Sequence, residues 1–283
     1  MKALILGTNA GQADIINYLK QNQWEVHACG YRREGPGCDL ADKFHLVNII
    51  DVAAVEALAL SIQPDIIYSV SSDLAIKTVT TVSEKLGLPH FLNSEIVDLF
   101  DHKESFRRFL NENKISDVRF MTLSDLSNLK EWSTFPCVVK PSDSQGQRGV
   151  VLVDSAAQLK NAVKNAISKS NTNTAIIEEY LEGIEFSTNV IVQDYKVVVN
   201  EFSERYVYGK SYFGLPKGHG LPVRRVSDRD IEVARGMVET MVRKLAIKDA
   251  VLYIQMVATK RGPKIIEAAP RLDGCHIWRL IKT

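Results

Sequence analysis

The sequence predicts an α/β protein of three units: a parallel sheet covered by helices, a small strand-rich unit with two helices, and a unit of paired strands with one long helix. Three observations carry this reading. Up to Pro89, short apolar runs alternate with helical patterns, the signature of parallel strands joined by crossovers. The run FPCVVK then leads into a Ser/Gly-rich loop, a strand ending in a turn. Finally, VLYIQMVA and KIIEAAP flank TKRGP, two strands about a tight turn. At 283 residues with 45% apolar content, the chain suits two or three compact cores.

Taken in order, KALILG reads as the first strand, followed by a helix over 12–22, the strand WEVHAC, a helix over 52–61, the strand DIIYSV and a helix over 74–86. The first turn, GTNAG, is not GxGxxG. Tyr31 and Arg32 stand where a dinucleotide site places an acidic residue after the second strand, so tight strand-to-helix packing explains these glycines better than a nicotinamide cofactor does. From about Asn93 a helical pattern runs through DHKESFRRFLNENK. The glycine-loop strand follows, then a helix marked by Ala156, Leu159, Val163 and Ile167, and the strand AIIEEYL. FSTNVIV and KVVVNEF read as a strand pair, and 208–222 is rich in Gly and Pro. Ser227 with Asp230 three residues on begins a helix whose apolar stripe is Ile231, Ala234, Val238, Met241 and Leu245.

Charge and composition exclude several classes of function. Lys plus Arg (35) nearly equals Asp plus Glu (34), without long blocks of one sign, so no surface is suited to nucleic acid or anionic lipid. No run approaches the length of a spanning helix, and the opening apolar run is too short for a signal peptide; a cytoplasmic protein is expected. Cys29, Cys38, Cys137 and Cys275 form no CxxC pair, and Cys137 sits in an apolar strand as a packing residue.

The chemistry concentrates in two places. In FPCVVKPSDSQGQRGV, Lys140 ends the strand and Arg148 lies in the loop. Gly146 and Gly149 let backbone N–H groups approach phosphate oxygens while the two cations neutralise charge; a surface hairpin is the other reading of the same residues. In the TKRGP hairpin, residues equidistant from Arg261 lie opposite one another if pairing is regular, so Gln255 faces Glu267. Their Cβ atoms would be about 4.5–5.5 Å apart, close enough for both to ligate one Mg²⁺. Arg271 follows, a cation suited to a transferring phosphoryl group. An exposed polar pair and a surface arginine explain these residues equally well, and a bulge would break the opposition.

Four ordered segments, DHKESFRRFL, VVKPSDSQGQRGV, IIEEYLEGIEFS and YIQMVATKRGPKIIEAAPRLDG, resemble the ATP-grasp superfamily, and within it the carbamoyl-phosphate-synthase-like carboxylate-amine ligases. The resemblance spans nearly the whole chain. It implies a pre-ATP-grasp, Rossmann-like domain over 1–92, a small lid subdomain with the glycine loop over 93–177, and a large subdomain with the metal hairpin over 178–283. It also implies ATP and Mg²⁺ as cofactors, small carboxylate and amine substrates, and a homodimer.

Carried over position by position, Lys103 and Lys140 contact nucleotide phosphate, and residues 144–149, with Ser144, Gly146, Arg148 and Gly149, close over it. Glu178, Glu179, Tyr180 and Leu181 form the hinge, with Glu178 and adjacent backbone at the adenine amino group. Glu185 accepts from the ribose hydroxyls, Gln255 and Glu267 hold metal, and Arg271 lies near the transferred phosphoryl group. The implied activity joins a carboxylate, activated as an acylphosphate, to an amine. Two departures stand out. Ala269 occupies the place of the family's usual Asn, two residues after the second metal ligand, and the chain stops soon after Arg271, so either the third unit is C-terminally incomplete or the protein is naturally short. These favour, as the alternative, a nucleotide-binding module without turnover. Ser71, Ser72, Asp73, Lys217, His219, Asp273 and His276 are candidates for the acceptor cleft, though a helix start or a solvated loop explains them as well.

Overall fold

The computed structural model describes residues 1–143, 148–209 and 214–281. The first unit contains β1 (Lys2–Leu6), α1 (Ala10–Gln21), β2 (Glu25–Gly30), α2 (Gly37–Leu40), β3 (Lys43–Leu46), α3 (Val52–Ile62), β4 (Ile66–Tyr68) and α4 (Asp73–Leu86). Its strands are parallel in the order β3-β2-β1-β4, so the chain switches direction across β1 and β4. The fully buried Gln12 clamps this switch point: its amide donates to Ser69 Oγ (3.0 Å) and its carbonyl accepts from Val70 N (2.9 Å). A Cβ on Gly11 would lie 2.6 Å from Ser71 Oγ, so GTNAG acts in packing. The sequence reading missed α2 and β3 because Pro36, Gly37 and the half-exposed KFHL edge strand show no apolar period.

The second sheet is antiparallel, in the order β5 (Phe120–Leu123), β8 (Ala175–Glu179), β6 (Cys137–Pro141), β7 (Val151–Val153). One face packs on α7 (Ala156–Lys169) through Trp132, Cys137, Val139, Leu159, Val163 and Ile177. The glycine loop joins the paired strands β6 and β7, so it projects from a hairpin. Among the site residues expected there, Ser144 and Gly146 lie outside the described residues.

The third sheet is antiparallel, in the order β11 (Pro216–Gly220), β10 (Lys196–Val207), β9 (Gly183–Gln193), β12 (Ala250–Thr259), β13 (Gly262–Ala269). Strand alternation makes it two-faced. Phe186, Val190, Phe202, Leu252, Ile254 and Met256 bury against α8 (Asp228–Lys244), which Ser227 caps by accepting from Asp230 N. The other face carries Glu185, Ser187, Ser203, Arg205, Gln255 and Glu267.

One correction concerns where the helices after residue 93 belong. They are two, α5 (Ser94–Asp101) and α6 (Lys103–Glu112), broken at the extended His102, and they bury Val97, Phe100, Phe106 and Leu110 in the core of the third sheet rather than the lid. An apolar stripe specifies that a helix is buried but not which sheet covers it. The division expected between 177 and 178 also falls inside β8, whose pairing runs through Glu179. Among the described residues no helix is long and apolar enough to cross a membrane.

Candidate active site

At the junction of the lid and the third sheet lies a buried ionic network. Lys140, 6% exposed, stands on the face of β6 turned away from the lid core and reaches diagonally to Glu178 on β8, Nζ to Oε2 at 2.6 Å. The other carboxylate oxygen accepts from Arg107 Nε of α6 at 2.9 Å. Burial alone would raise the Glu178 carboxyl, but the two cations outweigh it and hold it at about 2. Lys103, at the start of α6, donates its backbone N–H to Ser142 O (3.2 Å). Burial and the nearby Lys140 push its ammonium below the usual value, while Glu267, Asp101 and Glu178 act the other way. Two lysines from different elements therefore share one field with the hairpin carboxylate.

The hairpin achieves the expected opposition by an unexpected route. From Thr259↔Gly262 to Met256↔Ile265 the pairs are centred between Lys260 and Arg261; beyond a bulge they are centred on Arg261, giving Gln255↔Glu267. Ile266 is the extra residue. Had the pairing continued without the bulge, Gln255 would face Ile266 and Glu267 would lie out of register, so the bulge creates the pairing it was expected to break. Arg107, 1% exposed, braces this distortion: Nη1 donates to Ile265 O (2.6 Å) and Nη2 to Ile266 O (2.8 Å). One guanidinium thus ties the lid carboxylate Glu178 to the hairpin backbone beside Glu267.

Gln255 Nε2 donates to Glu267 Oε1 at 2.7 Å. A half turn of the Gln255 amide presents its oxygen beside the carboxylate, a donor set suited to one hard cation that completes its shell with water and phosphate. Ala269, opposite Tyr253, adds no oxygen, and among the described residues no three His, Cys, Asp or Glu side chains gather as a metal cluster.

The remaining predicted residues are held by protein partners. Glu178, expected with the adjacent backbone at the adenine amino group, pairs with Arg107 and Lys140. Glu179 bridges Arg119 N (2.9 Å) and Arg261 Nη2 (2.7 Å), and Tyr180 N donates to Pro136 O (3.1 Å), while Leu181 is half-buried before β9. Glu185 pairs with Arg205; burial raises its carboxyl despite that pairing. Arg271 grips Asp73 at the start of α4 with Nε and, at 2.7 Å, with Nη2, its guanidinium 5.9 Å from the Tyr253 ring centroid. Arg148 is exposed and, with Gly149, Asp143, Asp101 and Lys169, lines a cleft of about 580 Å³. Gly149 has φ +78°, and a Cβ there would lie 2.9 Å from Pro141 Cγ.

Sequence reasoning missed Arg107. Its signal was a cation set among Phe106, Phe109 and Leu110 on the apolar stripe of α6, where a charge persists only if paired.

Residues 133–278 match the ATP-grasp domain family. Over 99% of its length the chain is 24% identical to a phosphoribosylamine–glycine ligase of Methanocaldococcus jannaschii, covering 69% of that protein. Among solved structures, the L-amino acid ligase from Bacillus licheniformis superposes with a TM-score of 0.84 at 18% identity, over 99% of this chain and 69% of that one. The N5-carboxyaminoimidazole synthetase from Staphylococcus aureus complexed with ADP gives 0.82 at 15%, over 99% and 73%. The likenesses to solved structures speak for the shared fold.

Proposed function

The chain belongs to the ATP-grasp family, and we propose that it is an ATP- and Mg²⁺-dependent ligase forming a carbon–nitrogen bond. In this reading a substrate carboxylate attacks the γ-phosphate of ATP, the resulting acylphosphate is captured by an amine, and ADP and phosphate leave. The observation that carries it is the network that ties Lys140 on β6, through Glu178 and Arg107, to the hairpin backbone beside Glu267, with Lys103 at the start of α6 in the field of Lys140, Glu178 and Glu267. Two ammonium groups opposite a carboxylate–amide pair is a charge layout for a triphosphate with one bridging Mg²⁺.

Lys103 and Lys140 would hold the phosphates, Gln255 and Glu267 the metal, and Glu185 the ribose. The hinge backbone through Glu179, Tyr180 and Leu181 would meet the adenine. Arg271, now on Asp73, would turn to the phosphoryl group as the loop carrying Arg148 and Gly149 closes and excludes water. Catalysis then consists mostly of positioning and charge stabilisation.

The test is calorimetric titration with a non-hydrolysable ATP analogue, with and without Mg²⁺. We expect Mg²⁺-dependent binding that Lys140→Ala abolishes, together with ADP release in a screen of carboxylates and amines. Binding that survives Lys140→Ala refutes the site, and binding without ADP release from any pair refutes the ligase.

A further inference from the structure

We propose that His219 is the base that removes the proton from the attacking amine; the inference rests on the ligase reading and adds a residue to it. Four strands of the large sheet present a straight row on its polar face: Glu267 on β13, Gln255 on β12, Ser187 on β9 and Ser203 on β10 are register partners in turn. Ser187 Oγ and Ser203 Oγ are 3.1 Å apart, and Ser203 Oγ lies 3.3 Å from His219 Nδ1, which brings the imidazole of β11 onto the end of the row. The two serine hydroxyls thus lead to one nitrogen of the imidazole.

The other nitrogen, Nε2, is buried and has no hydrogen-bond partner among the described residues. Its neighbours are not available to it. Arg205, opposite on β10, is engaged by Glu185 and by Gly214 O. Asp273 accepts from Asn189 Nδ2, Cys275 N and Ile277 N. A buried polar atom left open beside Arg205 and Asp273, which are both satisfied, is a place for a ligand.

Distance along the row separates the two halves of the reaction. Neighbouring strands lie about 4.8 Å apart, so Ser203 and the imidazole on it stand roughly 10 Å from the strand of Gln255. That span holds an acylphosphate, phosphate toward the hairpin, and an amine approaching its carbonyl carbon from the His219 side. The environment also suits the ring to proton transfer. Burial depresses its pKa, Asp273 opposes this and Arg205 adds to it, so the imidazole is neutral and able to accept a proton at neutral pH.

In the balanced step an ammonium R′NH₃⁺ reacts with RCO–OPO₃²⁻. The C–N bond forms and the C–O bond to phosphate breaks, its electron pair leaving with the phosphate. One proton goes to His219 Nε2 and one to the departing phosphate, giving RCO–NHR′, HPO₄²⁻ and imidazolium. The hydroxyl line at Nδ1 then supports the charged ring.

Hydroxylamine tests this, because it is already unprotonated at neutral pH and needs no base. Wild type, His219→Gln and His219→Ala are assayed with ATP, Mg²⁺ and a carboxylate pool of formate, bicarbonate and the twenty protein amino acids, which also supply amines. Amide product and hydroxamate are read separately, and thermal melting verifies the fold. The expected result is a loss of amide formation of about 10²-fold or more, with hydroxamate and the KM for ATP unchanged, and restoration of His219→Ala by added imidazole. Undiminished amide formation, or an equal fall of both products, overturns the role of His219. A wild type that makes neither product overturns the ligase reading itself, and the base with it.

Discussion

Arg107→Met should disable the site through the framework rather than through lost ligand contact. The guanidinium makes three hydrogen bonds, to Glu178 Oε1 (2.9 Å), Ile265 O (2.6 Å) and Ile266 O (2.8 Å), at a side chain almost sealed from solvent. Methionine fills most of the stem's volume, so the cavity contribution is small and the electrostatic one dominates. Removing one partner of a buried ion pair costs about 3–5 kcal/mol, because the remaining charge is left uncompensated. Lys140 still holds one oxygen of Glu178, which places the expected loss near the lower end, about 3 kcal/mol, a large share of the roughly 5–15 kcal/mol that keeps a domain folded. Urea unfolding followed by tryptophan fluorescence reads it, Trp132 being buried in the core of the second sheet. Arg107→Met combined with Glu178→Leu should show a coupling of about 1–3 kcal/mol. A single-mutant loss below about 1 kcal/mol, or strict additivity in the double mutant, would refute the argument that this guanidinium joins lid and hairpin.

Two further predictions use the same network and its neighbour. Glu178 is held at about 2, below its ordinary 4.5, so its contribution to stability is present above pH 4.5 and is lost as pH falls toward 2; Glu178→Gln should flatten the stability profile of the wild type in that window, and an unchanged profile contradicts the assignment. Arg271→Met should lower kcat by about 10²–10³-fold while leaving affinity for the ATP analogue nearly unchanged, and a parallel loss of nucleotide binding would place Arg271 in ground-state binding instead.

Much of the fold was legible because apolar period and turn residues act locally. The strands and main helices of the first unit follow from such runs, as does the α8 cap at Ser227. What escaped was decided at long range or by polar chemistry. The edge strand β3 and short α2 have no buried period to show, and the stripe on α5 and α6 says nothing about which sheet covers it. For the site, Lys140 was visible as a cation at the end of an apolar strand, but the fate of Glu178 was not. A carboxylate in a strand reads as solvated until Arg107, 71 residues earlier, is known to lie beside it.

The hairpin shows why a correct position can be reached without its cause. Regular pairing about Arg261 places Gln255 opposite Glu267, yet the turn is centred half a residue earlier and an inserted Ile266 makes up the difference. A bulge removes ladder bonds and bends the strand, so it persists only where something else satisfies the freed carbonyls. Here that partner is Arg107, and the same residue fixes the orientation of Glu178 and, through it, Lys140. The separation between Lys140 and the hairpin pair is therefore set by one buried side chain with a rigid, planar fork. Lysine at position 107 would offer a single donor centre and could not span both strands, so geometry makes arginine the requirement at this place.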